Sequence, residues 1–251
     1  MYISIGKPCA ISEKGGRMYN EDYIYPSPEV VTSAQRMFIV CDGLGGGSEN
    51  GEIAGSLASE HFRTFFSTML EKDEPTGELI RKAVQYTEAH FCNYVQEHPQ
   101  ARGMSSALAM LYISSSGVTL ANVGNCRIYQ FRQGKIVCTT NDHGIIDDAS
   151  PDAIANSIGG SVGDAEVEGR LVADIEPGDY FFICTDGIKE KISDQTLASI
   201  FRKQLSPDII KDELVELCDG KTKDNYSFYI IPIQNVQDVK QNIRSALYSF
   251  I

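Results

Sequence analysis

Met37-Phe38-Ile39-Val40-Cys41-Asp42-Gly43-Leu44-Gly45-Gly46-Gly47 runs five apolar residues into one carboxylate and a cluster of glycines. A continuous apolar run of this length reads as a strand buried on both faces, and the glycines end it. A helix follows, because Ile53, Leu57, Ala58, Phe62, Phe65, Phe66, Met69 and Leu70 recur at helical spacing. Ser48 or Asn50 is its candidate cap, with Glu49 and Glu52 in a first turn where acids favour the helix dipole. The strand–glycine–helix order invites a nucleotide-loop reading. Neither Gly43-x-Gly45-x-x-Ser48 nor Gly45-x-Gly47-x-x-Asn50 completes the dinucleotide fingerprint, however. Gly220-Lys221-Thr222 fails likewise, with Val215 where a phosphate loop needs its first glycine. Asp42 would repel a phosphate but attract a cation, and glycine lets backbone carbonyls approach that cation closely. Taken alone, the segment suits a ligand-free turn equally well.

Outward from it, Tyr23-Ile24-Tyr25 forms a short strand ended by Pro26. A second helix runs from about Thr76 to Pro99 on Ile80, Ala83, Val84, Thr87, Phe91, Tyr94 and Val95. Strands return at 105–113, 118–123, 127–132 and 135–139, joined by turns such as Ser116-Gly117 and Gln133-Gly134. Residues 141–169 read as a polar, glycine-rich excursion carrying a short helix. Tyr180-Phe181-Phe182-Ile183-Cys184 is another buried strand, helices fit 194–203 and 207–218, and 226–233 is a late strand. Val239, Ile243, Ala246, Leu247 and Phe250 mark a helical stripe over 238–250. This order does not alternate strand and helix. The expected fold class is therefore α+β, with mostly antiparallel sheets flanked by helix pairs. Residues 1–235 are expected to form one domain, with 236–251 a helical extension packed on it.

A net charge of −12 argues against nucleic-acid binding, which needs a basic face. No stretch approaches the about 20 apolar residues of a membrane span, and the N-terminus lacks a signal-peptide pattern. Seven cysteines with no CxxC pair suit a reducing compartment, so a cytoplasmic location is expected. Asp22, Asp186 and Asp224 sit, like Asp42, in short breaker-rich contexts spread along the chain. Carboxylates without a Cys/His cluster select Mg2+ or Mn2+ over zinc. Of the histidines, His61 and His90 lie in helices and His98 precedes Pro99, so core or surface roles suit them.

Six segments carry a family pattern in order. They are Ser12-x-x-Gly15-Gly16-Arg17-x-x-Asn20-Glu21-Asp22, Val40-Cys41-Asp42-Gly43-Leu44-Gly45-Gly46, Ala121-Asn122-Val123-Gly124-Asn125-Cys126-Arg127-Ile128-Tyr129, Asn141-Asp142-His143, Glu176-Pro177-Gly178-Asp179 through Thr185-Asp186-Gly187-Ile188, and Asp224-Asn225 before an apolar strand. Together they resemble the metal-dependent protein phosphatases of type 2C, the PPM family, in a bacterial-like form. The resemblance implies a four-layer αββα sandwich and two Mn2+ or Mg2+ ions. It also implies direct hydrolysis of phosphoserine or phosphothreonine in a phosphorylated protein substrate, opposing a Ser/Thr kinase. Carried over by residue, Asp42 bridges both ions and the Gly43 carbonyl binds one. Asp186 and Asp224 complete the first ion, while Asp22, with Glu21 through water, supports the second. Arg17 holds the phosphoryl oxygens, a task suited to a guanidinium fork. Asn225 orders the Asp224 turn.

The pattern is also broken in places. Leu44 stands where many members carry histidine, so it has no proton for a leaving group, and aryl phosphates are expected to be favoured over alkyl ones. Asn125 replaces an aspartate that helps hold a third, weaker ion, leaving Asn125 and Glu190 as candidates for a weakened third site. The 143–169 excursion is short for the family's flap segment. Two alternatives follow: a catalytically weak relative acting as a regulatory binding module, or a phosphatase of a small phosphorylated metabolite.

Overall fold

The computed structural model describes residues 1–45, 49–70, 75–143 and 156–237. Their strands form two antiparallel sheets. In the first, β1 (Tyr2–Ile5) and β2 (Cys9–Glu13) pair with successive parts of β11 (Tyr226–Gln237). The sheet then continues through β10 (Tyr180–Cys184), β7 (Arg127–Arg132) and β8 (Lys135–Thr139). The second runs β3 (Asp22–Tyr25), β4 (Met37–Leu44), β5 (Ser105–Ser114), β6 (Gly117–Val123) and β9 (Glu168–Val172).

The period-2 pleat of these apolar runs builds the layers. Phe38 and Val40 of β4 meet Phe181 and Ile183 of β10 between the sheets. The alternate residues of β4, Met37, Ile39 and Cys41, face α1 (Glu49–Met69) and α2 (Gly77–Glu97). Tyr180, Phe182 and Cys184 of β10 face α3 (Asp194–Phe201) and α4 (Pro207–Cys218) on the opposite side. Three apolar layers between four structural ones are the αββα sandwich that the resemblance implied. Local signals start α2, α3 and α4 where expected, whereas Asn50 lies inside α1 and is not its cap. The Thr76 hydroxyl accepts from the Leu79 N–H at 3.1 Å, Ser193 caps α3, and Pro207 opens α4.

Backbone pairing extends some elements beyond their apolar signal. β4 continues to Leu44 because Asp42, Gly43 and Leu44 pair with Ala107, Ser106 and Ser105. β11 continues to Gln237 because β1 pairs with its far end. β9 starts at the end of the 141–169 stretch expected to be an irregular excursion and runs past it to Val172. It is an edge strand whose Gly169, Arg170 and Leu171 are exposed, so it carries little apolar pattern. Asp186–Glu190 forms a one-turn 3-10 helix. The helix expected over 238–250, Ser48 as a cap and residues 144–155 of the excursion lie outside the described residues. No helix among the described residues is long and apolar enough to cross a membrane.

Candidate functional site

Strand register brings the four aspartates to one end of the sandwich. Asp22 opens β3 and pairs with Asp42 across the β3–β4 ladder. Ile24 and Val40, two residues from each, point between the sheets, so the pleat turns Asp22 and Asp42 the same way. In the other sheet Asp186 follows the end of β10 and Asp224 precedes the start of β11, and these strands are neighbours. Thr185 ties the two sheets together. Its hydroxyl donates to Asp22 Oδ2 at 2.8 Å, and its backbone N–H donates to the Ser227 carbonyl at 3.0 Å. Gly187 permits this approach, because a Cβ there would collide with the backbone carbonyl of Asn225.

Asn225 is buried and organises the loop between β2 and β3. Its amide donates to the carbonyls of Lys14 at 2.7 Å and Tyr19 at 2.9 Å, and its Oδ1 accepts from the Glu21 N–H at 2.9 Å. The loop carries Arg17, whose Nη2 stands 2.8 Å from Asp224 Oδ2. The Gly43 N–H donates to the Glu21 carbonyl at 3.1 Å, and the Ser106 hydroxyl donates to the Asp42 carbonyl at 3.1 Å.

The carboxylates share one electrostatic environment. Burial pushes the Asp22 carboxyl up to about 8; Asp186 and Asp224 add to this, while hydrogen bonds from Ser227 and Thr185 oppose it. Burial, then the charges of Asp186, Asp22, Asp224 and Glu21, hold Asp42 well above the usual carboxylate range. Burial and Asp224 raise Asp186 to about 6, with Lys189 opposing. A divalent cation relieves such a cluster, and an all-oxygen donor set fits Mg2+ or Mn2+.

Protein donors engage the carboxylates as they stand. Arg17 holds Asp224, Thr185 holds Asp22, and Asn125 Nδ2 donates to Asp186 Oδ2 at 2.7 Å. Among the described residues no group of three or more His, Cys, Asp or Glu side chains is poised to hold an ion. Gathering one therefore requires side chains to turn away from these partners. Glu190 Oε2 accepts from the Lys223 N–H at 2.8 Å, bracing the chain before Asp224. His61 and His90 stack on each other at 3.8 Å between α1 and α2.

Thr185 and Lys189 escaped the sequence reading. Thr185 carried a usable signal: it is a polar residue on the inward-facing parity of Phe181 and Ile183. Lys189 carried none, because its position depends on a 3-10 turn that no periodicity announces.

The family model described as Protein phosphatase 2C matches residues 15–216. The serine/threonine protein phosphatase PstP of Mycobacterium tuberculosis is 26% identical over an alignment of 205 residues that covers 75% of this chain and 37% of that protein. The chain thus spans little more than a third of the length of its mycobacterial relatives. The serine/threonine phosphatase stp of Listeria welshimeri is 25% identical over 191 residues, 68% of this chain and 74% of that protein. Among solved structures, the catalytic domain of PstP in complex with two manganese ions superposes with a TM-score of 0.73 at 22% identity. That match covers 93% of this chain and all of the other.

Proposed function

This chain belongs to the protein phosphatase 2C family, and on that premise we propose that it hydrolyses phosphoserine and phosphothreonine in proteins with two Mn2+ or Mg2+ ions. The observation that carries the proposal is the gathering of carboxylates from both sheets, Asp22 paired with Asp42 in one and Asp186 and Asp224 at the ends of neighbouring strands in the other, with burial and neighbouring carboxylates raising Asp22, Asp42 and Asp186. Asp42 would serve both ions, with the Gly43 carbonyl beside it. Asp186 and Asp224 would hold the first ion, and Asp22, supported by Glu21, the second. When bound, the ions supply an acidified water and charge neutralisation at the phosphoryl oxygens.

The protein's own groups do the positioning. Arg17 is exposed on a loop pinned by Asn225, so its guanidinium reaches the mouth of the site and can exchange Asp224 for a phosphoryl oxygen. Leu44 ends β4 beside Asp42 and has no proton to give. The departing oxygen therefore takes its proton from solvent, which favours aryl over alkyl phosphates. Substrates are phosphoproteins, the activity opposes a Ser/Thr kinase, and the setting is cytoplasmic.

The engagement of Asp224 by Arg17 and of Asp186 by Asn125 favours a second reading, a catalytically weak binding module. Turnover of p-nitrophenyl phosphate with and without Mn2+, in the native chain and in Asp42→Asn, decides between them. The expected result is Mn2+-dependent hydrolysis that falls by more than about 100-fold in the variant, since even supporting groups around a metal are worth about 10–100-fold. Native turnover no higher than that of the variant would overturn the enzyme reading. A panel comparing phosphopeptides with phosphorylated metabolites tests the substrate class.

A further inference from the structure

We propose that the ammonium of Lys189 is a built-in cation beside Asp186, at the position the resemblance assigns to a third ion, so that this chain operates with two ions and no third. The inference rests on the two-ion reading above and sharpens it.

Lys189 lies in the 3-10 turn that begins at Asp186. Its Nζ donates to Asp142 Oδ2 at 2.7 Å and to the Asn125 backbone carbonyl at 3.0 Å. The side chain is only 21% exposed, so the charge is held in place. Three rotatable donors on a compact ammonium suit a bridge between a carboxylate and a carbonyl. Asp142 is further clamped by Arg127, with Nε 2.7 Å from Oδ1 and Nη2 2.6 Å from Oδ2. Both oxygens of Asp142 are thus already matched by two fixed cations.

The oxygens that would hold a third ion are turned elsewhere or neutral. The Asp186 carboxylate selects the amino end of the Asn125 amide, which donates to it at 2.7 Å. Asn125 Oδ1 is left buried without a partner among the described residues, and it is a neutral ligand. Glu190 accepts from the Lys223 N–H. A divalent ion placed here would meet the Lys189 ammonium with like-charge repulsion, and the Asp186 and Glu190 carboxylates it would call on each already accept a protein donor. Lys189 is therefore a positioning residue, acting through the Asp142 carboxylate and the Asn125 carbonyl that it holds.

The test counts ions. Metal-free full-length chain is titrated with Mn2+ by calorimetry, and bound metal is measured after desalting. The native chain and Asn125→Asp are both expected to bind two ions, because Lys189 neutralises the added carboxylate. Asn125→Asp combined with Lys189→Gln is expected to bind three, and Asn125→Asp with Lys189→Arg, which keeps the charge, only two. Three ions in the native chain or in Asn125→Asp alone would overturn the proposal, as would two in the Gln double variant. No ion in the native chain would instead overturn the two-ion reading beneath it. If the Gln double variant does not fold, Lys189→Gln alone carries the test: a third, weak ion at high Mn2+ supports the proposal, and two ions overturn it.

Discussion

Arg17 Nη2 stands 2.8 Å from Asp224 Oδ2, joining residues 207 positions apart. The pair links the group proposed to hold phosphate with a group proposed to hold metal, so the two functions compete for one carboxylate.

Removing the arginine should therefore move two measurements in opposite directions. In Arg17→Ala, Asp224 is released, and calorimetric Mn2+ affinity is expected to rise. At the same time kcat/KM for a phosphopeptide is expected to fall by about 10–100-fold, the worth of a charge-assisted hydrogen bond. Weaker Mn2+ binding in the variant would show that Arg17 organises Asp224 and does not compete for it.

The raised carboxyls set the pH dependence of the metal-free protein. Asp22 at about 8 and Asp186 at about 6 hold protons in the folded chain that the unfolded chain has lost above its ordinary value of about 4. Wherever the folded state binds more protons, stability falls as pH rises. The metal-free melting temperature is thus expected to decline from pH 6 to pH 8. Mn2+ displaces those protons, so its stabilising effect is expected to be larger at pH 8. A flat or rising metal-free profile over this range, followed by thermal melting, would contradict the carboxylate cluster.

Asp42→Asn separates folding from activity. Asp42 is raised by burial and by four neighbouring carboxylates, so an uncharged isostere relieves repulsion. Without metal, the variant is expected to melt about 2–4 °C higher, corresponding to roughly 1 kcal/mol in a chain of this size. With Mn2+ the order should reverse, because the native chain gains stability from the ion and the variant gains much less. Calorimetric scans of both proteins with and without Mn2+ give the four values needed.

Asn225 is the structural pin of the site. Asn225→Ala loses two donated hydrogen bonds and one accepted one at a buried position. Leaving buried backbone groups unpaired costs about 1–3 kcal/mol, which lowers the melting temperature by roughly 2–12 °C. Because the freed loop carries Arg17, KM for a phosphopeptide is expected to rise more than kcat falls. An unchanged KM would place Arg17 under other control.

The legible parts of this chain were those written in consecutive side chains. The runs Met37–Cys41 and Tyr180–Cys184, the stripe of Ile80, Ala83, Val84 and Phe91, and the cap Thr76 each announce an element through burial and local hydrogen bonding. β9 and the ends of β4 and β11 were illegible because pairing with a neighbouring backbone, not side-chain pattern, holds them in the sheet.

By itself the sequence determined the class of fold and nominated the carboxylates proposed for the site, since apolar periodicity and the order of Asp22, Asp42, Asp186 and Asp224 are properties of the linear chain. Tertiary structure decided which groups those carboxylates meet. Arg17 on Asp224, Thr185 on Asp22, Asn125 on Asp186 and Lys189 on Asp142 all join distant segments: Thr185 reaches Asp22 across the two stacked sheets, and the other pairs meet at the ends of β2, β11, β10, β7 and β8 within the first sheet. Electrostatic and hydrogen-bond energies depend on separation in space, and only the packed sandwich sets that separation.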